Sequence, residues 1–99
     1  MSSLYYLSEQ AEKDIEEIVD HLLKESISVA DTFIEATYHA FERLAEYPEI
    51  GHLRQDITDR PVKFWPLKWH YLIIYNPDIP VEIVRVLSGW RDMVELLEK

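Results

Sequence analysis

The sequence predicts an α+β domain in which a helix hairpin covers one face of a sheet. Two long segments with apolar residues at helical spacing fill the first half, and three short segments rich in branched and aromatic residues fill the second. Helices followed by strands are typical of the α+β class. The 99 residues suffice for a single domain, 1–99.

A short strand and an amphipathic helix are expected first. Residues 4–7 are aromatic and extended in character, and Ser8 suits a helix N-cap. From Ala11 to Leu23 the apolar residues recur on one helix face, and the residues between them, Asp14 included, are mostly acidic. We therefore expect a helix with a heavily acidic outer side.

The second helix is predicted to begin near Ser28, as its N-cap, and to carry an apolar stripe from Ala30 to Leu44. It should end before Pro48, because proline disfavours helical geometry in the preceding residue. Four or five residues would then separate the helices, which favours an antiparallel hairpin.

Three strands and a short terminal helix complete the predicted order. Residues 62–67 contain Pro66, which suits an edge strand. Residues 69–75 and 81–87 have high β propensity and flank a turn, so they should pair as an antiparallel hairpin. Gly89 should end the last strand, and residues 91–98 should form the closing helix.

Alternation along the two central strands predicts an uncovered face that binds a partner. Both faces carry apolar residues, yet one helix hairpin covers only one of them. We expect Val84 and Val86 on the face opposite the partner. The partner-binding face is assigned these residues: Trp69, Tyr71, Ile73, Tyr75, Ile83, Arg85 and Leu87. Alternatively, the terminal segment with Met93, Leu96 and Leu97 folds back over it.

Charge and composition exclude several classes of function. The net charge is -9, and all of it falls in residues 1–49, which hold 12 acidic and three basic residues. Such a surface repels phosphate backbones, so no direct nucleic-acid binding is expected. No cysteine is present, the histidines lack metal-ligand spacing, and no apolar run is long enough for a membrane span. We expect a cytoplasmic protein without a metal or cofactor.

Basic residues in the second half are the remaining candidates for chemistry. Arg85, Arg91 and Lys63 are the candidate catalytic residues, because such cations would stabilise a pentavalent phosphate in a metal-independent endoribonuclease. For each of them, pairing with an acidic residue is the favoured role. Trp90 is expected to pack in the terminal corner.

Several short patterns, taken in order, resemble one known family. Tyr6-Leu7-Ser8 followed by Ala11 and Asp14 resembles the opening of ParE-type toxins. Residues 71–75 resemble the central strand of that family. Residues 83–92 resemble its closing signature, in which Ser88 stands where histidine is most frequent.

The resemblance implies a toxin of a type II toxin–antitoxin module, of the kind involved in plasmid stabilisation, with a cognate antitoxin as partner. ParE toxins of this kind poison DNA gyrase, whereas RelE toxins cut messenger RNA in the ribosome. Of the RelE-type active site only Arg91 is matched, since Leu72 and Leu97 replace an arginine and a tyrosine. The resemblance therefore favours a non-enzymatic gyrase inhibitor. The alternatives are a RelE-type ribosome-dependent endoribonuclease and a decayed toxin that only binds its antitoxin. The acidic charge further predicts an antitoxin segment that is less acidic than usual and has apolar anchors.

Overall fold

Four strands form one mixed sheet in the computed structural model, which describes residues 4–54 and 59–89. They are β1 (Tyr5–Leu7), β2 (Lys63–Pro66), β3 (Tyr71–Asn76) and β4 (Val81–Ser88), and they lie in the order β1-β4-β3-β2. β3 pairs antiparallel with β2 and β4, as predicted, and β1 adds a parallel pairing to β4. The α+β class is confirmed, with one more strand in the sheet than the three expected.

The first helix, α1 (Glu9–Leu23), begins where the sequence predicts. The Ser8 hydroxyl accepts a hydrogen bond from the Ala11 N–H at 3.0 Å, as an N-cap does. Only Ser8 lies between β1 and α1, so the end of the strand fixes where the helix begins.

The second helix, α2 (Ile27–Glu46), begins earlier than predicted. Ser26, in an extended conformation, is its N-cap and accepts from the Val29 N–H at 3.3 Å, so the assignment of Ser28 is wrong. The Leu22 carbonyl accepts hydrogen bonds from the N–H groups of both Glu25 and Ser26 at the end of α1. Residues 24–26 alone therefore join the two helices. The end of α2 before Pro48 is confirmed.

The main core lies between the helix hairpin and one face of the sheet. Helix α1 contributes Ala11, Ile15 and Leu22 to this core. The large side chains that are fully or almost fully buried come from α2 and both central strands: Phe33, Phe41, Leu44, Ile73, Tyr75, Val81, Ile83 and Val86. The helices bury most of the stripe that their spacing predicts, but on α1 Asp14 is also buried and Leu23 is 46% exposed.

A shift of register in the β3–β4 pair changes which residues share a face. Ile74 lies opposite Arg85, but Tyr75 lies opposite Ile83, so Val84 is an extra residue in β4. Such a bulge breaks strict alternation. Ile83 and Val86 therefore both face the helices, and the expectation that Val86 shares a face with Val84 is wrong.

The connection from β2 to β3 is a tight turn and not the start of a strand. Lys68–His70 form one 3₁₀ turn, and β3 begins only at Tyr71. Trp69 and His70 have φ angles of 58° and 67°, a left-handed conformation that costs non-glycine residues about 1 kcal/mol or more each. The turn holds the Trp69 side chain about half exposed, at 47%.

The segment that follows α2 is fastened to β3 by one hydroxyl group. Tyr75 Oη donates to the Pro48 carbonyl at 2.7 Å and accepts from the Gly51 N–H at 2.9 Å. A Cβ atom at Gly51 would lie 2.4 Å from this hydroxyl, so the glycine is required for the close approach. Next to it, His52 exchanges two backbone hydrogen bonds with Phe64 and covers part of the β2 edge.

Candidate functional site

A buried ion pair joins the middle of α1 to β4. Arg85 Nε lies 2.7 Å from Asp14 Oδ2, and Arg85 Nη2 lies 2.9 Å from Asp14 Oδ1, so the guanidinium holds both carboxylate oxygens. The Val86 N–H donates to the same Oδ2 atom at 3.0 Å. Asp14 is 7% exposed, and its expected place on the outer, acidic side of α1 is wrong.

The Asp14 carboxylate binds a part of β4 that lies beyond the end of the shorter strand β1. The Ser8 N–H donates to the Ile83 carbonyl at 3.0 Å, and its hydroxyl donates to the Val84 carbonyl at 2.8 Å. Beyond Ser8 the chain continues as α1. The Asp14 carboxylate then accepts a hydrogen bond from the Val86 N–H of β4. The side chains of Ser8 and Asp14 thus continue the pairing that a longer β1 would provide.

The electrostatic setting of Arg85 is that of a structural cation. The hydrogen bonds that Arg85 donates to Asp14 raise the pKa of Arg85 above its usual value, against a smaller opposite effect of burial. Its side chain is 21% exposed, and its Nε and Nη2 atoms are already engaged. A phosphate would have to compete with a bidentate carboxylate for this guanidinium.

The other groups proposed for catalysis are also engaged or lie outside the described residues. Lys63 has a side chain that is 13% exposed, and its Nζ lies 3.5 Å from Glu49 Oε1. Burial raises the pKa of Tyr71 and of Tyr75 above 10.0, with smaller contributions from nearby carboxylates, so neither is suited to act as a base near neutrality. Arg91 and Trp90 lie outside the described residues.

Most of the residues assigned to an open, partner-binding face are buried. Ile73, Tyr75 and Ile83 are 0% exposed, and Tyr71 packs edge-on against Phe33 with ring centroids 5.0 Å apart. These four belong to the core under the helices, so their placement on an uncovered face is wrong. The helix hairpin packs on the sheet face that the prediction left open. Alternation along a strand groups residues by face, but it does not say which face the helices cover.

The three remaining residues of that assignment are dispersed. Leu87 faces the other side of the sheet, where it is 6% exposed, and Arg85 is held by Asp14. Only Trp69, in the turn before β3, is largely accessible. The opposite sheet face carries a smaller apolar cluster: Val62, Phe64, Ile74 and Leu87, with Leu72 and Val84 packed against it. The segment predicted to fold back, with Met93, Leu96 and Leu97, lies outside the described residues.

Two of the depressions on the described surface have tryptophan or tyrosine in their lining. One, of about 560 Å³, adjoins the left-handed turn and is lined by Leu67, Trp69, Tyr71, Leu72 and Gly89, among others. The other, of about 440 Å³, runs between α1 and α2. It is lined by Ile15, Val19, Ile34 and Tyr38, with Glu12, Glu16 and Asp20 at its rim. Shallow apolar depressions with polar rims suit protein contacts better than small-molecule binding.

Sequence reasoning missed Asp14 and the groove between the helices. Asp14 lies three residues after Ala11, on the buried stripe of α1, and that position was the available signal. An acidic residue at a core position requires a cation, which points to a basic residue elsewhere in the chain. The groove had a weaker signal, since Val19 and Ile34 lie at the margins of their stripes.

The described residues contain no cluster of three or more histidine, cysteine or acidic side chains that would hold a metal ion. Within residues 4–54 and 59–89, neither helix is both long and apolar enough to cross a membrane.

Comparison with known proteins gives a family and a matching fold. The model of the ParE toxin of the type II toxin–antitoxin system parDE matches residues 5–93. One similar solved structure is described as the chromosomal ParDE TA system from P. aeruginosa. Its TM-score is 0.71 at 19% identity, over 91% of this chain and 98% of that chain. None of the curated proteins matches the sequence.

Proposed function

Because the chain belongs to the ParE toxin family of type II toxin–antitoxin systems, we propose that it is a toxin that a cognate antitoxin binds and neutralises. We propose that it acts in the cytoplasm, on DNA gyrase, and without catalysing a reaction. The family match over residues 5–93 is the observation that carries the proposal.

The engagement of Arg85 and Lys63 supports a non-enzymatic mode of action. A ribonuclease of this fold would need cations free to hold the transferring phosphate. Arg85 instead holds Asp14 with two nitrogen atoms, and Lys63 lies beside Glu49. The excess of acidic residues in α1 and α2 opposes the approach of RNA as well. Binding to a protein target requires neither free cations nor a basic surface.

Accessible apolar groups support the antitoxin part of the proposal. Trp69 is 47% exposed in a strained turn beside an apolar depression, and tryptophan is the residue type most enriched at energetically dominant contacts. Of the seven residues expected to contact the antitoxin, Trp69 and Arg85 are those that a partner can reach in the folded chain. We propose that the antitoxin covers the Trp69 turn and the groove between the helices.

Induced expression in a bacterial host tests whether the chain is toxic and how it acts. The proposal expects growth arrest, with messenger RNA that shows no codon-dependent cuts when the 5′ ends are mapped. Such cuts would instead establish the endoribonuclease alternative. Unimpaired growth at a verified protein level would leave only a decayed toxin that binds its antitoxin.

Co-expression with the short reading frame beside the gene tests the antitoxin. The product of that frame should restore growth and should copurify with this chain at a fixed ratio. Trp69→Ala should weaken the complex while leaving the circular dichroism spectrum unchanged, because the side chain is half exposed. A matched change at another exposed aromatic residue, Tyr6→Ala, should leave the complex intact. Loss of binding in both variants or in neither would contradict the assigned surface.

A further inference from the structure

The groove between α1 and α2 has an apolar floor and one acidic wall. Ile15 and Val19 from α1 meet Ile34 and Tyr38 from α2 along its length. Tyr38 is 39% exposed, so part of the floor is open to water. The acidic wall consists of Glu12, Glu16 and Asp20, which follow one another at intervals of four residues on α1.

The apolar strip continues past the groove to the tip of the helix hairpin. Leu23, at the end of α1, is 46% exposed, and Ile27, at the start of α2, is 70% exposed. Ile27, Ile34 and Tyr38 lie on one side of α2, at spacings of seven and four residues, and the exposed Asp31 lies between Ile27 and Ile34 on that side. From Ile27 to Tyr38 the strip measures about 17 Å at 1.5 Å per residue, which is the length of about three helical turns.

The acidic wall is unfavourable for α1 by itself. Like charges four residues apart on a helix repel each other, and Glu12, Glu16 and Asp20 form two such pairs in succession. Asp20 also lies in the last turn of α1, where the helix dipole disfavours a negative charge. A partner that brings positive charges to this wall would relieve both repulsions, and an acidic partner would increase them.

We propose that the α1–α2 groove binds an amphipathic helix of about three turns, with apolar residues on one stripe and lysine or arginine beside it. This deepens the proposed function and rests on it: the helix would be a segment of the antitoxin. The apolar stripe would lie on Ile15, Val19, Ile34 and Tyr38, and the cations would face the acidic wall. In the helix-in-groove mode of recognition the bound helix places its apolar anchors at spacings of three, four and seven residues, and a strip of about three turns is long enough to receive them.

Other occupants fit the charge less well. A second copy of this chain would bring its own acidic α1 towards the wall, and nucleic acid or an anionic membrane would be repelled. A cationic helix is the occupant whose charge and apolar stripe both match the groove.

Two synthetic peptides test whether the groove prefers a positively or a negatively charged helix. Both would be helix-forming 14-residue peptides with the same leucine stripe; one carries lysine and the other glutamate at the flanking positions. Fluorescence anisotropy with the purified full chain should show binding of the lysine peptide and at least tenfold weaker binding of the glutamate peptide. Binding should weaken as salt is raised, since exposed charges are screened. Equal binding of the two, preference for the glutamate peptide, or binding of neither would overturn the proposal.

Matched variants of the protein locate the interaction. The triple change Glu12→Gln, Glu16→Gln, Asp20→Asn should weaken binding of the lysine peptide by about tenfold, because it removes three exposed ion pairs of ordinary strength. The control Glu35→Gln, Glu46→Gln, Asp78→Asn removes the same charge from exposed acids outside the groove. It should reduce binding by less than about twofold, because these side chains do not line the groove and exposed charges are screened. An equal loss in both triple variants would contradict a specific groove.

A further variant alters the apolar strip at the tip of the helix hairpin, and the antitoxin itself provides a second test. Ile27→Ser, at a side chain 70% exposed, should leave the fold intact and weaken the lysine peptide severalfold. Copurification of the antitoxin with the groove variants separates the two proposals. If the antitoxin binds the unaltered chain and all groove variants equally, the groove proposal fails while the proposed function stands. If nothing copurifies with the unaltered chain, the antitoxin part of the proposed function fails, and peptide binding alone decides the groove.

Discussion

Replacing Asp14 by alanine should destabilise the fold far more than replacing any exposed acidic residue. The change removes the partner of Arg85 and the acceptor of the Val86 N–H together. Removing one member of a buried ion pair costs about 3 to 5 kcal/mol. Because Arg85 is 21% exposed and can turn towards water, we expect the lower end, about 3 kcal/mol.

Urea denaturation measures this effect directly. With a slope of about 1 to 3 kcal/mol per molar urea, the midpoint should fall by about 1 to 3 M while the slope stays constant. Glu49→Gln is the control, since Glu49 lies beside Lys63 in an ion pair of its own, but with its side chain 83% exposed. It should cost less than about 1 kcal/mol. If Asp14→Ala costs no more than Glu49→Gln, the reasoning is refuted.

A compensated double variant separates the structural role of Arg85 from a catalytic one. Asp14→Leu with Arg85→Met replaces the pair by apolar side chains of similar size, which in other buried pairs recovers most of the stability lost by breaking the pair. The Val86 N–H stays without its acceptor, so the double variant should remain about 1 to 3 kcal/mol less stable than the unaltered chain. The folded double variant should still arrest growth if Arg85 only supports the fold. Loss of toxicity with a normal fold and normal antitoxin binding would show that Arg85 acts on the target or substrate.

Three further predictions concern buried polar groups. Tyr75→Phe removes the hydroxyl that joins Pro48 to Gly51 and should cost about 1 to 3 kcal/mol, measured in urea, with faster amide exchange in that segment. Thr37 Oγ1 is buried and has no hydrogen-bond partner among residues 4–54 and 59–89, so Thr37→Val should be neutral or should raise the free energy of unfolding by up to about 1 kcal/mol; a clear loss of stability would contradict this assignment. Burial raises the pKa of Tyr75, so its contribution to stability is complete below pH 10.0 and is lost as the pH rises through the folded-state pKa. A urea series at increasing alkaline pH should show this decline, and Tyr75→Phe should reduce it.

Much of the architecture could be predicted because it depends on periodic burial. The helices, the edge position of the strand with Pro66 and the central antiparallel pair all follow from spacing and residue type. The end of β4 before Gly89 follows from the positive φ of that glycine, 91°. The start of α2 was misplaced by two residues, since Ser26 and Ser28 are chemically equivalent caps.

The candidate site could be predicted much less well. One extra residue in β4, Val84, reverses the facing of everything after it, and a bulge has no clear signal in a single sequence. The left-handed turn was missed because Trp69 itself has high β propensity and adjoins the strand. The pairing of Asp14 with Arg85 spans 71 residues, a distance over which spacing carries no information.

Supercoiling by purified DNA gyrase, with this chain added in increasing amounts, tests the central claim most directly. The reaction is run with and without the product of the neighbouring reading frame, and with the folded Asp14→Leu, Arg85→Met variant beside the unaltered chain. We expect the chain and the double variant to inhibit supercoiling at similar concentrations, and the antitoxin to restore it. Unaffected supercoiling at all concentrations, together with codon-dependent cuts in cellular messenger RNA, would contradict the account.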